Sequence, residues 1–230
     1  MLDKLKNDQS IQPEKKEDPK DELAPVEYEE PGTSSEATSP ISAEPYTITA
    51  LPVSSLSSDE FMDRKNATEL KNRITKVITN EAPITEGLLT KRVLQSYGIT
   101  RVGTRVQAYL DEFYTKLSLK TTKQSDGQKI YWNAKQNPDD YTTFRAGKTD
   151  ADKRDSKDIP IIEAANAVYK IVSEQVALSS EDLAKEASRQ LGFSRMGTNL
   201  TNLMEAAVEM NKSAGHLEVS PNGNIKLTGK

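Results

Sequence analysis

The chain has 230 residues, of which 35% are hydrophobic and 29% charged, and it contains no cysteine. Hydrophobic content this low predicts a polar unfolded segment beside smaller packed units. The missing cysteines exclude disulfides and cysteine-ligated zinc or iron–sulfur sites, and no apolar run approaches the ~20 residues of a membrane span.

The start, Met1-Leu2-Asp3-Lys4-Leu5-Lys6-Asn7-Asp8, lacks the apolar core of a secretory signal, so a cytoplasmic protein is expected. The net charge of -4 is unevenly distributed. Residues 1–66 carry 7 Lys and Arg against 15 Asp and Glu; residues 67–136 carry 12 against 6. Residues 137–159 (5 against 6) and 160–230 (7 against 8) are close to neutral. The basic stretch is the better candidate for a polyanionic partner.

Residues 1–66 read as a disordered acidic tail. Proline recurs every few residues, and residues 1–60 develop no apolar face of either periodicity. A sharper reading makes the tail an acidic mimic that folds back on the basic stretch. Another makes Tyr46-Thr47-Ile48-Thr49-Ala50-Leu51, its only apolar patch, a docking segment.

Ordered structure is expected from Ala67. Leu70, Ile74, Val77 and Ile78 lie on one helical face, and the helix must stop before Pro83. Ile84 opens a second helix with Thr85 as N-cap, and Gly98 ends it in a left-handed conformation. A third helix starts at or shortly after Thr100, with Val102, Val106, Tyr109, Leu110, Phe113 and Leu117 as its apolar face. Asp126-Gly127 signals a hairpin between strands near 117–121 and 129–132. Three helices and a hairpin over 67–136 make a winged-helix-like module. Residues 137–159, with turn chemistry at Asn137-Pro138 and an alternating charge run, read as a linker from which Tyr141 and Phe144 could pack on a neighbouring module.

From Ile161 the plan repeats. Setting 70–113 against 164–207 without a gap aligns eight identical residues: Asn72, Lys76, Leu89, Lys91, Gly98, Arg101, Gly103 and Thr104 with their counterparts. Gly98-Ile99-Thr100-Arg101-Val102-Gly103-Thr104 returns 94 positions later as Gly192-Phe193-Ser194-Arg195-Met196-Gly197-Thr198. The hairpin returns too, as Leu217-Glu218-Val219 and Ile225-Lys226-Leu227 around Pro221-Asn222-Gly223-Asn224. The expected architecture is mainly α with small β-hairpins: a tail and two tandem winged-helix-like modules, at 67–136 and 160–230.

In a helix-turn-helix module the third helix enters the major groove by its N-terminal residues. Candidate DNA contacts are therefore Thr100, Arg101, Thr104, Arg105 and Gln107, with Lys91 and Arg92 on the second helix and Lys120, Lys123 and Lys129 on the hairpin. Arginine suits guanine or phosphate, glutamine suits adenine, and the helix start adds N–H donors. The second module offers Arg195 and Asn199 in a less charged setting. Gly98 and Gly192 read as helix ends; Gly103 and Gly197 permit close approach of phosphate or of a packed helix. Arg101 and Arg195 could equally close the turn on a carboxylate.

Other signals are weaker. Gly147-Lys148-Thr149 ends like a phosphate-binding loop, but Thr142 stands where the first glycine belongs. His216 is the only histidine, so neither a Ser–His–Asp triad nor a histidine metal cluster can form. Tyr131 and Trp132 could stack on a base, although hairpin aromatics more often pack on a core. Nothing in the pattern asks for a cofactor or argues for catalysis.

The run Val77-Ile78-Thr79-Asn80-Glu81-Ala82-Pro83-Ile84, with Leu89, Arg92-Val93, Tyr97-Gly98-Ile99 and Arg101-Val102-Gly103-Thr104-Arg105, resembles an uncharacterised domain at the C-terminal end of large bacterial DNA helicases of superfamily 1. Ile159-Pro160, Ala187-Ser188-Arg189-Gln190-Leu191-Gly192-Phe193 and Arg195-Met196-Gly197 extend the resemblance over roughly 67–200. It implies an accessory DNA-binding or protein-docking unit; no Walker motif of a motor is present. The expected function is a non-enzymatic DNA-binding accessory to helicase-type DNA processing, acting through the first module and without a membrane. The alternatives are a protein-docking scaffold using the second module or the acidic tail, and self-assembly through Met196, Met204 and Met210.

Overall fold

The computed structural model describes residues 41–175 and 177–229. The fold is mixed α and β. Among the described residues no helix is long and apolar enough to cross a membrane.

The first helical unit is α2 (Ala67–Glu81), α3 (Glu86–Ser96) and α4 (Thr104–Lys116). Leu70, Ile74, Val77 and Ile78 of α2 are buried, as their spacing requires. The helix ends at Glu81, ahead of the cis Ala82–Pro83 bond, and Ala82 is extended. Thr85 caps α3 by accepting from the Leu88 N–H at 3.2 Å. Ile84 is not helical. With Thr85 it forms β2 (Ile84–Thr85), because a chain extended before an N-cap can pair with a strand. β2 pairs antiparallel with β4 (Lys129–Tyr131), which pairs in turn with β3 (Thr121–Lys123). β3 begins later than 117–121: Leu117 caps α4, and Ser118 sits at φ 49 before the chain extends.

The second unit repeats this order with α5 (Ile161–Glu174), α6 (Ser180–Gln190), α7 (Thr198–Ser213) and the hairpin of β6 (Leu217–Val219) and β7 (Ile225–Leu227). The repeat reaches single residues. Ile84 pairs with Tyr131 of the first hairpin, and Leu178, its counterpart, bridges to Ile225 of the second. Each unit has its own core, one around Ile74, Leu89 and Leu110, the other around Val168, Leu183 and Met204.

Two expected boundaries are corrected. Of the acidic tail, residues 1–40 lie outside the described residues. Residues 41–66 are not an unfolded tail: they form β1 (Ser42–Tyr46), an extended arm, α1 (Ser58–Phe61) and a 3-10 turn at Arg64–Asn66. The arm donates from Ser54 to the Ser96 carbonyl (2.9 Å) and from Leu56 to that of Tyr97 (3.0 Å). Phe61 inserts between Tyr97 and Tyr109, with ring centroids 5.3 and 5.9 Å away. The arm has no core of its own, so no periodicity announces it; it folds against surface that the first unit supplies.

Residues 137–159 are not a free linker either. They contain β5 (Thr143–Gly147), which pairs in parallel with β1 in the register Ser42–Thr143 to Tyr46–Gly147. Two arginines anchor the segment. Glu163 of α5 is fully buried; Arg145 reaches it at 2.6 Å and Arg154 at 2.7 Å. Arg145 also donates to the carbonyls of Glu81 (2.9 Å), Ala82 (3.2 Å) and Pro83 (2.7 Å) in the first unit. Glu81 is fully buried as well. It accepts from the Tyr46 hydroxyl, from the Thr49 N–H (2.8 Å) and from Arg92 Nε (3.3 Å). The Tyr46 ring lies under Arg154, 4.3 Å from its guanidinium carbon. This charged joint ties the two units together through β1 and β5. Such buried charges are tolerable because each is paired and hydrogen-bonded.

Candidate nucleic-acid interface

The repeated motif builds the same corner twice. The Gly98 N–H donates to the Gln95 carbonyl and the Ile99 N–H to that of Leu94. Gly192 repeats this with Arg189, and Phe193 with Ser188. These pairs are the two bonds of a Schellman helix end, and both glycines take the left-handed φ it needs, 75 and 89°. The first glycine of each copy therefore serves the fold.

The second glycine does something different. Gly103 is the N-cap of α4 and Gly197 that of α7, and neither helix start has a side-chain cap. Ser57, Thr85 and Ser179 cap α1, α3 and α6 with side-chain oxygens, while α2 and α5 also begin without a side-chain cap. A Cβ at Gly103 or Gly197 would meet no atom within 4 Å, so close helix packing is not their role. Two helix starts thus present uncapped N–H donors on open surface.

Around the α4 start, Thr100, Arg101, Val102, Thr104 and Arg105 are all exposed. Arg101 makes no hydrogen bond or ion pair among the described residues. Arg105 pairs with Asp59 of the arm at 3.1 Å. Both side chains are more than three-quarters exposed, so the pair is weak. Val102 is 47% exposed and does not join the apolar face expected of it. Because α4 starts at Thr104, Val102 precedes the helical periodicity.

The remaining candidates scatter. Arg92 is a correction: it lies mostly buried against Glu81 and Tyr46 and belongs to the joint, so it offers no phosphate contact. Gln107 donates to Asp111 at 2.7 Å. Lys120 donates to the Gln136 carbonyl at 2.6 Å, and Lys129 pairs with Glu86 at 3.2 Å. Lys91 is exposed with Asp158 at 3.9 Å, and Lys123 is exposed on β3. Tyr131 and Trp132 are buried; the Trp132 indole N–H donates to Thr122 at 2.8 Å, so both face the core and not a base. Beyond its first turn, α4 carries Asp111 and Glu112 with Lys116 on its outer side. Lys116 pairs with Glu112 at 2.5 Å, so the outer side of α4 beyond its start carries no net positive charge.

Arg195 and Asn199 are exposed at the start of α7, but the setting differs. Asn199 and Asn202 line a groove of about 270 Å³ whose far wall is Gln124 and Gln128 of the first hairpin. Gln124 fixes that wall by accepting from the Ile161 N–H at 2.6 Å. A second groove, about 360 Å³, runs between α3 and the 99–107 segment, past Lys91, Gln95 and Thr100.

Sequence reasoning missed Asp59 beside Arg105 and the whole Arg145–Glu163–Arg154 joint. One signal was available: Glu163 is a lone acid in the apolar run Ile161-Ile162-Glu163-Ala164-Ala165.

No curated protein matches the chain. Residues 59–108, from Asp59 in α1 through the first turn of α4, match a family described as a protein of unknown function (DUF3320).

Proposed function

We propose that the chain is a non-enzymatic nucleic-acid-binding accessory protein built on two winged-helix-like modules, and that it holds a DNA phosphate end-on at the first turn of α4. The observation that carries this reading is the conjunction at one exposed corner of the uncapped α4 start, unpartnered Arg101 and weakly held Arg105. First-turn N–H groups and guanidinium groups are complementary to a phosphate oxygen. The repeated order of three helices and a hairpin, with an extra strand before the second helix, supports the winged-helix reading. The acids on the outer side of α4 favour end-on contact over burial of the whole helix in a major groove. The resemblance to C-terminal domains of helicases suggests DNA processing as the setting.

The test is fluorescence anisotropy of the full chain with labelled duplex DNA at two salt concentrations. Binding at low salt that weakens steeply as salt rises is expected. No binding at low salt would refute the reading.

One observation favours a docking scaffold instead. The first hairpin, which could hold flanking phosphates, is packed on the second unit through Gln124 and Ile161. Retention of a protein partner after nuclease treatment, with no DNA binding, would select that alternative.

A further inference from the structure

Two asparagines of the second unit are buried yet only half used. Asn166 of α5 is 7% exposed and Asn211 of α7 is 5% exposed. Asn166 Nδ2 donates to the carbonyls of Tyr141 and Thr143, both at 2.9 Å. Asn211 Nδ2 donates to those of Ala165 (2.8 Å) and Ala207 (3.1 Å). A carboxamide nitrogen has two hydrogens and a carbonyl only accepts, so these bonds use every donor and fix which end of each side chain is the oxygen. Neither Oδ1 accepts a hydrogen bond among the described residues. Neither is sealed from solvent, and both residues line one groove of about 400 Å³. The Asn211 amide bonds the carbonyl of the residue preceding Asn166, so the two carboxamides are neighbours.

The fold does not require asparagine at either place. At the 94-residue offset of the repeat, Asn166 corresponds to Asn72, which is exposed, and Asn211 corresponds to Leu117. A buried acceptor left without a donor is costly, and such groups are rare. Two of them opening on one groove point to a ligand that brings the donors.

The rest of the lining selects the kind of donor. Among the described residues Asp139 is the only carboxylate on the groove, it is exposed, and no lysine or arginine lines the groove. Tyr169 and His216, whose rings meet edge to face at 5.5 Å, also line it, and Ile162 and Met210 supply apolar surface. An ammonium group carries three N–H donors and is attracted both by a carboxylate and by aromatic faces. An anion would meet two more acceptors and a like charge.

We infer that this groove binds a primary organic ammonium, with its nitrogen at the oxygens of Asn166 and Asn211 and its apolar body against Ile162 and Met210. The site lies on other residues than the nucleic-acid corner and is independent of that reading.

The experiment is a titration of the full chain, isotope-labelled for amide NMR, with phenethylammonium and in parallel with phenethyl alcohol, which has the same apolar body and a single neutral donor. The amine is expected to bind saturably and to shift the side-chain carboxamide resonances of Asn166 and Asn211. The alcohol should bind about tenfold more weakly. The Asp139 side chain is exposed and makes no bond among the described residues, so Asp139→Asn keeps the fold. It should weaken amine binding by about threefold and leave the alcohol unchanged. The inference is overturned if the amine shows no saturable binding up to about 10 mM. Equal affinity for amine and alcohol overturns it too, as do unshifted carboxamide resonances at saturation or an amine affinity that Asp139→Asn does not change.

Discussion

Arg145 and Glu163 form a buried ion pair at 2.6 Å, while the rest of the Arg145 guanidinium reaches carbonyls at the end of α2. One side chain thus links the C-terminal end of α2 to α5, the first helices of the two units. Removing Glu163 would leave Arg145 and Arg154 buried without a counter-charge. Glu163→Ala is expected to cost about 3–5 kcal/mol, the usual penalty for breaking a buried pair by deleting one partner. Urea denaturation of the variant would measure it.

The same pair sets a pH dependence. Burial alone would raise the Glu163 pKa; the guanidinium groups of Arg145 and Arg154 and their hydrogen bonds outweigh it and hold the carboxyl at about 2. That lies below the ~4.3 of an unfolded glutamate. Its contribution is therefore complete above ~4.3 and is lost as pH falls through about 2. Melting temperature should drop across that interval, and Glu163→Gln should flatten the acid limb while lowering the plateau. An unchanged acid limb in the variant would assign the transition to other groups.

The arm is expected to be part of the folded unit. Phe61 is 1% exposed between two tyrosines, so Phe61→Ala should cost about 3–5 kcal/mol. The loss should appear first in hydrogen exchange at the Ser54 and Leu56 amides, which the arm bonds to the end of α3. Protection there equal to that of the unmodified chain would show that the arm docks without Phe61.

The two glycines of the motif should separate by stability and binding. Gly98 is at φ 75° with a Cβ position 3.4 Å from the Ser54 carbonyl, so Gly98→Ala should destabilise by about 1–2 kcal/mol. Gly103→Asp meets no obstacle and supplies the missing cap, so stability should rise by a few tenths of a kcal/mol. The same carboxylate occupies the N–H donors and repels phosphate, so DNA affinity should fall by more than about tenfold. Thermal melts and anisotropy on the two variants would show whether the effects divide this way.

Elements with a local signature were legible in the sequence. The faces of α2 and α5, the cap at Thr85, the turn at Gly98 and both hairpin turns follow from spacing or backbone preference within a few residues. The repeat carried the second unit as well, but the pairing of Ile84 and Leu178 with their hairpins was not legible, since Ile84 reads as the start of a helix. What was not legible depends on partners far away in the chain. β1 lies about a hundred residues from β5, and Tyr46 contacts Glu81, Arg92 and Arg154 from three other segments. Apart from the apolar patch Tyr46–Leu51, which packs on the first core, composition reads those residues as polar tail and linker because only the folded units on either side make their burial possible. At the candidate site, sequence named Arg101 and Arg105 as candidates but not the acid beside Arg105. It assigned Arg92 to the surface, because nothing local indicates which side of α3 faces Glu81.

The most direct measurement compares the salt dependence of duplex binding for the full chain with that of Arg101→Ala combined with Arg105→Ala. Both arginines are exposed, so the fold should survive, which circular dichroism would verify. If the α4 start holds phosphate, affinity at low salt falls by more than about tenfold and the log–log salt slope becomes shallower by about two, one for each lost phosphate contact. Unchanged affinity and slope in a folded double variant would contradict the assignment of this corner as the nucleic-acid contact.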